Sequence, residues 1–404
     1  MARHAVLSSG KQVWRSLSCA RSELRLELTL DCGQSFRWKE TAPGHWTGVM
    51  GGRVWTLTQT EDILWYHVYH NPGGRRRGPA GVSSSGDSES KRGMKGAVKK
   101  EEEVTDTEEE EQMLRDYLQL SVNLSELYTH WQTADPHFRQ IADIFTGLRM
   151  LRQDPTECLF TFICTSNNHI SRIQGMVDRL CQTLGAPLGQ LEQTSYFDFP
   201  SLTTLADSST EACLRDLGFG YRAKFLQQSA KQILDTHGLR WLEGLRSVPY
   251  LQARDALRTL PGVGTKVADC VCLMSLDKAD AVPVDTHVWQ IAKRDYNVTT
   301  GNAQKSITEK LHRDIGDFFR KLWGPYAGWA QEVLFCADLK KFQKLKEMPL
   351  IQPKKEEEDE EEEIGEESKK TKIKTQANVA VKRSKTKSAS HKKAKMSVKT
   401  EQDV

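Results

Sequence analysis

The sequence predicts an α+β fold, with a small antiparallel-sheet N-terminal domain and then a multi-helix domain containing a helix-hairpin-helix. Three observations predict it. Residues 24–30 set Leu24, Leu26, Leu28 and Leu30 against Arg25, Glu27 and Thr29, the period of two of a half-buried strand. From Gln112 onward, apolar residues recur at helical spacing. Late in that region, Leu260-Pro261-Gly262-Val263-Gly264-Thr265-Lys266 ends one helix, turns tightly and opens another. The length of 404 residues suggests two or three domains, and a hydrophobic content of 38% is low enough to imply disordered parts. The net charge of +3 says little, because acidic and basic residues come in blocks.

Residues 1–22 hold Arg3, Lys11, Arg15 and Arg21, several serines and no acidic residue. That composition fits a mitochondrial targeting segment and equally a basic flexible N-terminus. The sheet domain is expected over residues 23–134. After the strand at 24–30, Phe36-Arg37-Trp38, Trp46-Thr47-Gly48-Val49 and Val54-Trp55-Thr56-Leu57 repeat the strand signal, with Pro43-Gly44 and Gly51-Gly52 as turns. Residues 71–111 are rich in Gly, Ser and charge blocks, so a disordered insert without catalytic role is expected there. Leu114, Leu118, Leu120 and Leu124 then mark helices, with Tyr128 and Trp131 beside them. Cys158-Leu159-Phe160-Thr161-Phe162-Ile163-Cys164 is nearly all apolar and predicts the central core helix. Helices follow at 173–184, around Leu214, at 225–234 and at 253–260, giving a helical domain over 135–340. Residues 345–404 turn acidic and then lysine-rich, a disordered tail whose basic clusters suit nuclear import or nonspecific DNA contact.

At the hairpin, the amides of Val263, Gly264 and Thr265 open a helix and point outward. Free N–H groups at a helix start bind phosphate. The spacing excludes a nucleotide P-loop, and Val267 stands where a dinucleotide fingerprint has its third glycine. Lys266 lies in the first helical turn, where the dipole disfavours a cation. Nearby apolar residues should ease the loss of its proton, and a neutral amine is a nucleophile. Cys270 shares its helix face at i+4. Asp285 follows Pro283-Val284 and is placed to cap the helix through His287 and Trp289. Each feature alone has a plain explanation: a surface lysine, an N-cap, a helix connection. The set is harder to explain that way. Nine scattered cysteines without Cys-x-x-Cys pairs argue for reduced intracellular thiols, and against a zinc site or an iron–sulfur cluster.

These residues, with Gly33-Gln34-Ser35-Phe36-Arg37-Trp38, Ser166-Asn167-Asn168, Gly220-Tyr221-Arg222 and Gly324-Pro325-Tyr326-Ala327-Gly328-Trp329-Ala330-Gln331, resemble the helix-hairpin-helix superfamily of DNA base-excision glycosylases. Within it, they are most similar to the eukaryotic 8-oxoguanine DNA glycosylase/AP lyases. The resemblance spans residues 23–340 apart from the insert. It implies a TATA-binding-protein-like N-terminal sheet. It also implies an enzyme that flips 8-oxoguanine paired with cytosine, excises it through a lysine Schiff base and cleaves the strand by β-elimination.

Carried over residue by residue, Lys266 is the nucleophile. Asp285 stabilises the transition state and helps deprotonate the amine. Gly33, Cys270, Pro283, Gln331 and Phe335 form the base pocket. Gln331 and Phe335 are i and i+4 on one helix, so the amide can pair with the Watson–Crick edge while the ring stacks. The Gly33 carbonyl accepts the N7–H that 8-oxoguanine has and guanine lacks. Asn167, Arg172 and Arg222 read the widowed cytosine, and Tyr221 wedges into the vacated stack. Gly262, Gly264 and Val267 present the hairpin to phosphate. His287 contacts phosphate or supports Asp285. The family run has a third Asn where this chain has His169, which leaves no role assigned to that position.

The implied partner is double-stranded DNA carrying the lesion, bound by a monomer. No membrane, organic cofactor or catalytic metal is expected, and a structural monovalent or calcium ion at the hairpin stays open. The expected compartment is the nucleus, with the mitochondrion as a second destination. Two rival readings are a glycosylase for another damaged base and a non-catalytic DNA-binding module. The second needs neither Lys266 nor Asp285.

Overall fold

The computed structural model describes residues 2–10, 13–70, 97–298 and 306–347, with side chains from 106 onward in the helix that starts at Ala97. Five strands form an antiparallel sheet: β1 (Arg15–Ser18), β2 (Lys39–Ala42), β3 (His45–Met50), β4 (Arg53–Gln59) and β5 (Ile63–Tyr69), in the order β1-β5-β4-β3-β2. Trp46 pairs with Leu57 and Leu57 with Tyr66, so one face of large apolar side chains runs across three strands. That face packs on Leu24, Leu26, Leu30, Leu114, Leu118 and Leu151.

The helices follow in chain order. The short α1 (Leu26–Thr29) precedes β2, and α2 (Ala97–Tyr117), α3 (Leu124–Ala134) and α4 (Pro136–Ala142) follow the sheet. Next come the buried α5 (Pro155–Ile163) and α6 (Ile170–Leu184), a two-stranded hairpin of β6 (Pro187–Leu191) and β7 (Thr194–Phe197), then α7 (Leu202–Ala206) and α8 (Thr210–Asp216). The chain continues through α9 (Arg222–Thr236), α10 (Trp241–Gly244), α11 (Tyr250–Leu257), α12 (Thr265–Ser275) and α13 (Thr286–Tyr296). It closes with α14 (Glu309–Trp323), α15 (Ala327–Asp338) and α16 (Gln343–Glu347). Asp-Pro pairs start two of these helices cleanly. Asp135 caps α4 ahead of Pro136, and Asp154 caps α5 ahead of Pro155.

The α+β class agrees with the sequence, and several local expectations are corrected. Residues 24–30 are not a strand. Thr29 N–H donates to Arg25 O and Leu30 N–H to Leu26 O, a helical turn. The alternation arises because the segment lies between two cores: Leu28 joins the helical core and Leu24, Leu26 and Leu30 the sheet core. Phe36-Arg37-Trp38 is irregular, and the strand begins at Lys39. The sheet also begins earlier than residue 23, since β1 pairs with β5. The insert is shorter than expected. Helix α2 already runs from Ala97, and Glu110 is fully buried between Arg15 and Arg53. Residues 71–96 and the tail from 348 lie outside the described residues, with the disorder expected there. No boundary falls at 134/135, where α3 and α4 pack on each other, and Met1–Pro349 is one compact unit.

Candidate active site

The turn before β2 is fixed by a buried amide. Gln34 Nε2 donates to Thr29 O at 2.9 Å and to Arg149 O at 2.8 Å, while its Oε1 accepts from Leu151 N–H at 2.8 Å. With every polar atom of the side chain satisfied, Gln34 locks the adjacent Gly33. Gly33 has φ +97°, and a Cβ there would meet Ile170 at 3.3 Å. Both facts favour glycine and leave its backbone open to close approach.

The hairpin supplies the second wall. Gly262 has φ +79°, and a Cβ would sit 2.7 Å from the Phe225 ring. Ser229 Oγ donates to Pro261 O at 2.9 Å, so α9 holds the turn from behind. Gly264 is the exposed N-cap of α12, which leaves the helix-start amides of Thr265 and Lys266 without a side-chain cap.

Lys266 is partly exposed in the first turn of α12. Its ammonium lies 5.2 Å from the centroid of the Phe162 ring on α5, and Phe162 packs edge-on against Phe36 at 6.2 Å. Burial favours the neutral amine, but the charges of Cys270, Asp285 and Glu332 outweigh it, so the net shift is upward. This corrects the expectation that Lys266 sheds its proton easily: its acidic neighbours, the Asp285 carboxylate among them, hold that proton on. Cys270 itself is pushed up to about 12 by burial, so it is a thiol at neutral pH.

Asp285 caps α13. Its Oδ1 accepts from the N–H groups of His287 and Val288, both at 2.9 Å, and its Oδ2 stands 3.5 Å from His287 Nδ1. The cap fixes the carboxylate with one oxygen turned away from the helix. The loop before it is anchored by groups that sequence reasoning missed. Val284 N–H donates to His312 Nε2 at 3.2 Å, and that nitrogen lies 3.4 Å from Asp269 Oδ2. Tyr250 donates to the other Asp269 oxygen at 2.7 Å. Burial raises Asp269 to about 7 and lowers His312 to about 4, so the imidazole is neutral and the carboxyl is held close to its neutral form. This network ties the Asp285 loop to the helix that carries Lys266. Pro283 is buried within the loop.

On α15, Gln331 is buried with Oε1 unpartnered among the described residues, while Phe335 is partly exposed and meets His287 edge-on at 5.9 Å. Glu332, buried next to Gln331, was also missed. Its signal in the sequence is a lone charge inside an otherwise apolar helix. Among the described residues, no three His, Cys, Asp or Glu side chains converge as a metal site. A cavity of about 440 Å³ lined by Asp116, Arg152, Asp277 and Trp329 shares no residue with this cluster.

The second group gathers at the start of α9. Tyr221 is half exposed, with the Arg222 guanidinium 4.6 Å from its ring centroid. Arg222 is buried, and its Nη2 donates to Ser166 O and, at 3.2 Å, to Asn167 O. This arginine therefore holds the Ser166–Asn167 turn, with its Nε unpartnered among the described residues. Asn167, at φ +52°, and Arg172 are exposed. Tyr221 packs edge-on against Phe225 at 5.8 Å, the same ring that Gly262 approaches. The two groups are thus joined through one side chain of α9. His169 caps α6, accepting from Arg172 N–H at 3.4 Å.

Two family descriptions match the chain: 8-oxoguanine DNA glycosylase, N-terminal domain, over residues 16–159, and HhH-GPD superfamily base excision DNA repair protein over residues 160–316. The chain is 38% identical to an N-glycosylase/DNA lyase of Arabidopsis thaliana over 335 residues, 82% of each protein. It is 38% identical to the N-glycosylase/DNA lyase of Saccharomyces cerevisiae over 250 residues, 56% of this chain and 66% of the yeast protein. The structure resembles the apo 8-oxoguanine glycosylase/lyase of Clostridium acetobutylicum with a TM-score of 0.62 and 26% identity, over 81% of this chain and 96% of that one. The chain belongs to the 8-oxoguanine DNA glycosylase family of helix-hairpin-helix base-excision repair proteins.

Proposed function

We propose that this protein binds double-stranded DNA as a monomer, flips out 8-oxoguanine paired with cytosine, excises it and then cuts the strand as a lyase. The observation that carries the proposal is the placement of Lys266. Its amine stands over Phe162 at the phosphate-binding end of α12, within reach of the charges of Asp285 and Cys270. A base inside a duplex cannot be attacked in place, so it must enter the pocket between Gly33, Gln331 and Phe335.

Once the pocket is filled and water is excluded, the Lys266 ammonium loses its proton with the help of Asp285, which passes the proton on and is again a carboxylate when the bond to the base breaks. The free amine attacks C1′, and the N9–C1′ electron pair leaves with the base. Asp285 faces the positive charge that builds on the sugar, an electrostatic role worth roughly 10²–10³ in rate for a group of this kind. Ring opening gives an imine on Lys266. Loss of the C2′ proton then expels the 3′ phosphate by β-elimination. Arg222, Asn167 and Arg172 offer donors and acceptors to the widowed cytosine, and Tyr221 fills the gap left in the stack. Nuclear residence with a mitochondrial pool is part of the proposal, and the basic clusters of the tail that motivate it lie outside the described residues.

Single-turnover excision on duplexes with 8-oxoguanine opposite cytosine or adenine tests this reading. The expected result is release of the base, faster opposite cytosine, and no release by Lys266→Gln. Tight DNA binding with no base released by the wild type would overturn the 8-oxoguanine reading and leave the two rivals, a glycosylase for another damaged base and a binding module.

A further inference from the structure

Helix α15 is buried on every side from Ala327 through Leu334, yet this run contains the carboxyl of Glu332. The residue is 4% exposed, and its Oε1 has no hydrogen-bond partner among the described residues. An unpaired carboxyl oxygen in such a place costs stability and gives nothing back to the fold. Its surroundings are the active site. The Cys32 thiol lies against the carboxyl, and Lys266 and Asp285 act on it by charge. Its charge is also felt by Cys270 on α12 and by Cys336 on its own helix. Its neighbour Gln331 likewise has a buried Oε1 without a partner among the described residues.

The shape of the purine decides which atom comes near, given the 8-oxoguanine reading above, on which this inference rests. N7–H lies at the Gly33 carbonyl, and the N9–C1′ bond lies at the Lys266 amine. C8 stands between N7 and N9, so its oxygen, O8, projects into the gap between Gly33 and Lys266. Glu332 is close to both sides of that gap: it is hydrogen-bonded to Cys32, next to Gly33, and it feels the charge of Lys266. We propose that Glu332 is a specificity-determining group of this pocket, a carboxylic acid whose O–H donates a hydrogen bond to O8 of the flipped lesion.

Guanine carries C8–H there and offers no acceptor, so the buried O–H would be left unpaired. Burial raises the Glu332 carboxyl to about 8, so it holds its proton at neutral pH. As N9–C1′ breaks, the departing electron pair spreads over N9, C8 and O8. The hydrogen bond to O8 strengthens as that charge grows, so it favours the transition state over the bound substrate. No proton need leave Glu332 for this.

The test is single-turnover excision of 8-oxoguanine opposite cytosine by wild type, Glu332→Ala and Glu332→Gln. Cleavage of a duplex with a preformed abasic site serves as a companion readout that involves no base. Glu332→Ala should slow excision by about tenfold or more and abasic-site cleavage far less. Glu332→Gln, whose amide still donates, should keep more of the rate than Glu332→Ala. Wild-type excision should fall as the pH rises through about 8 and the acid ionises, and Glu332→Gln should lack that fall. Unchanged excision by Glu332→Ala would overturn the proposal. So would parallel loss of both activities, which would make Glu332 a partner of Lys266 rather than of the base. A wild type that cleaves abasic sites but does not release 8-oxoguanine would overturn the lesion reading itself, and this inference with it.

Discussion

The Asp285 carboxylate does two jobs with two oxygens. One oxygen satisfies the N–H groups of His287 and Val288, and the other, 3.5 Å from His287 Nδ1, is the one proposed to act on the sugar. Asp285→Asn keeps an acceptor for the cap and removes the charge. Turnover should therefore fall by roughly 10²–10³ while DNA affinity changes little, as kinetics and equilibrium binding measured side by side would show. Loss of binding to the same extent would make the cap its main role. Gly33 separates the same two quantities. Its φ of +97° and the 3.3 Å approach of Ile170 leave no relaxed place for a Cβ. Gly33→Ala should lower excision of 8-oxoguanine far more than affinity for DNA, and equal losses would remove it from the pocket.

At the scale of elements, the sheet and the helices are joined by buried polar side chains rather than by apolar packing alone. Arg149 is 1% exposed. Its guanidinium donates to the carbonyls of Glu23, Gln119 and Val122, and pairs with the Glu23 carboxylate at 2.6 Å. Arg149→Met would leave those acceptors unpaired. A loss of about 3–5 kcal/mol is expected in denaturant unfolding, since the broken pair is largely buried. A loss under about 1 kcal/mol would show that the joint is apolar after all. These joints also explain what the sequence could and could not tell. The hairpin, the Lys266 helix and the Asp285 cap were legible because each is a local signal: a breaker, a helix start, a cap. Residues 24–30 were misread because two cores on opposite sides imitate the period of a strand. His312, Asp269 and Glu332 were missed because their meaning lies in neighbours distant along the chain. Glu110 was assigned to a disordered insert because an acidic run looks the same whether or not one member is buried against two arginines.

At the scale of the whole molecule, α9 connects the two ends of the proposed DNA footprint. Tyr221 at its start is the proposed wedge, and Phe225 one turn later packs against both Tyr221 and the hairpin before Lys266. On the proposed reading, binding of the widowed base and placement of the nucleophile are therefore both supported by one helix. The central claim, that Lys266 attacks the sugar of a flipped 8-oxoguanine, is tested most directly by borohydride trapping. Borohydride reduces an imine to a stable amine, joining protein to DNA. With one 8-oxoguanine opposite cytosine, the wild type should give a covalent adduct, weaker when adenine replaces cytosine and absent in Lys266→Gln. Base release without any adduct would contradict the claim, because excision would then proceed with water as the nucleophile and Lys266 in another role.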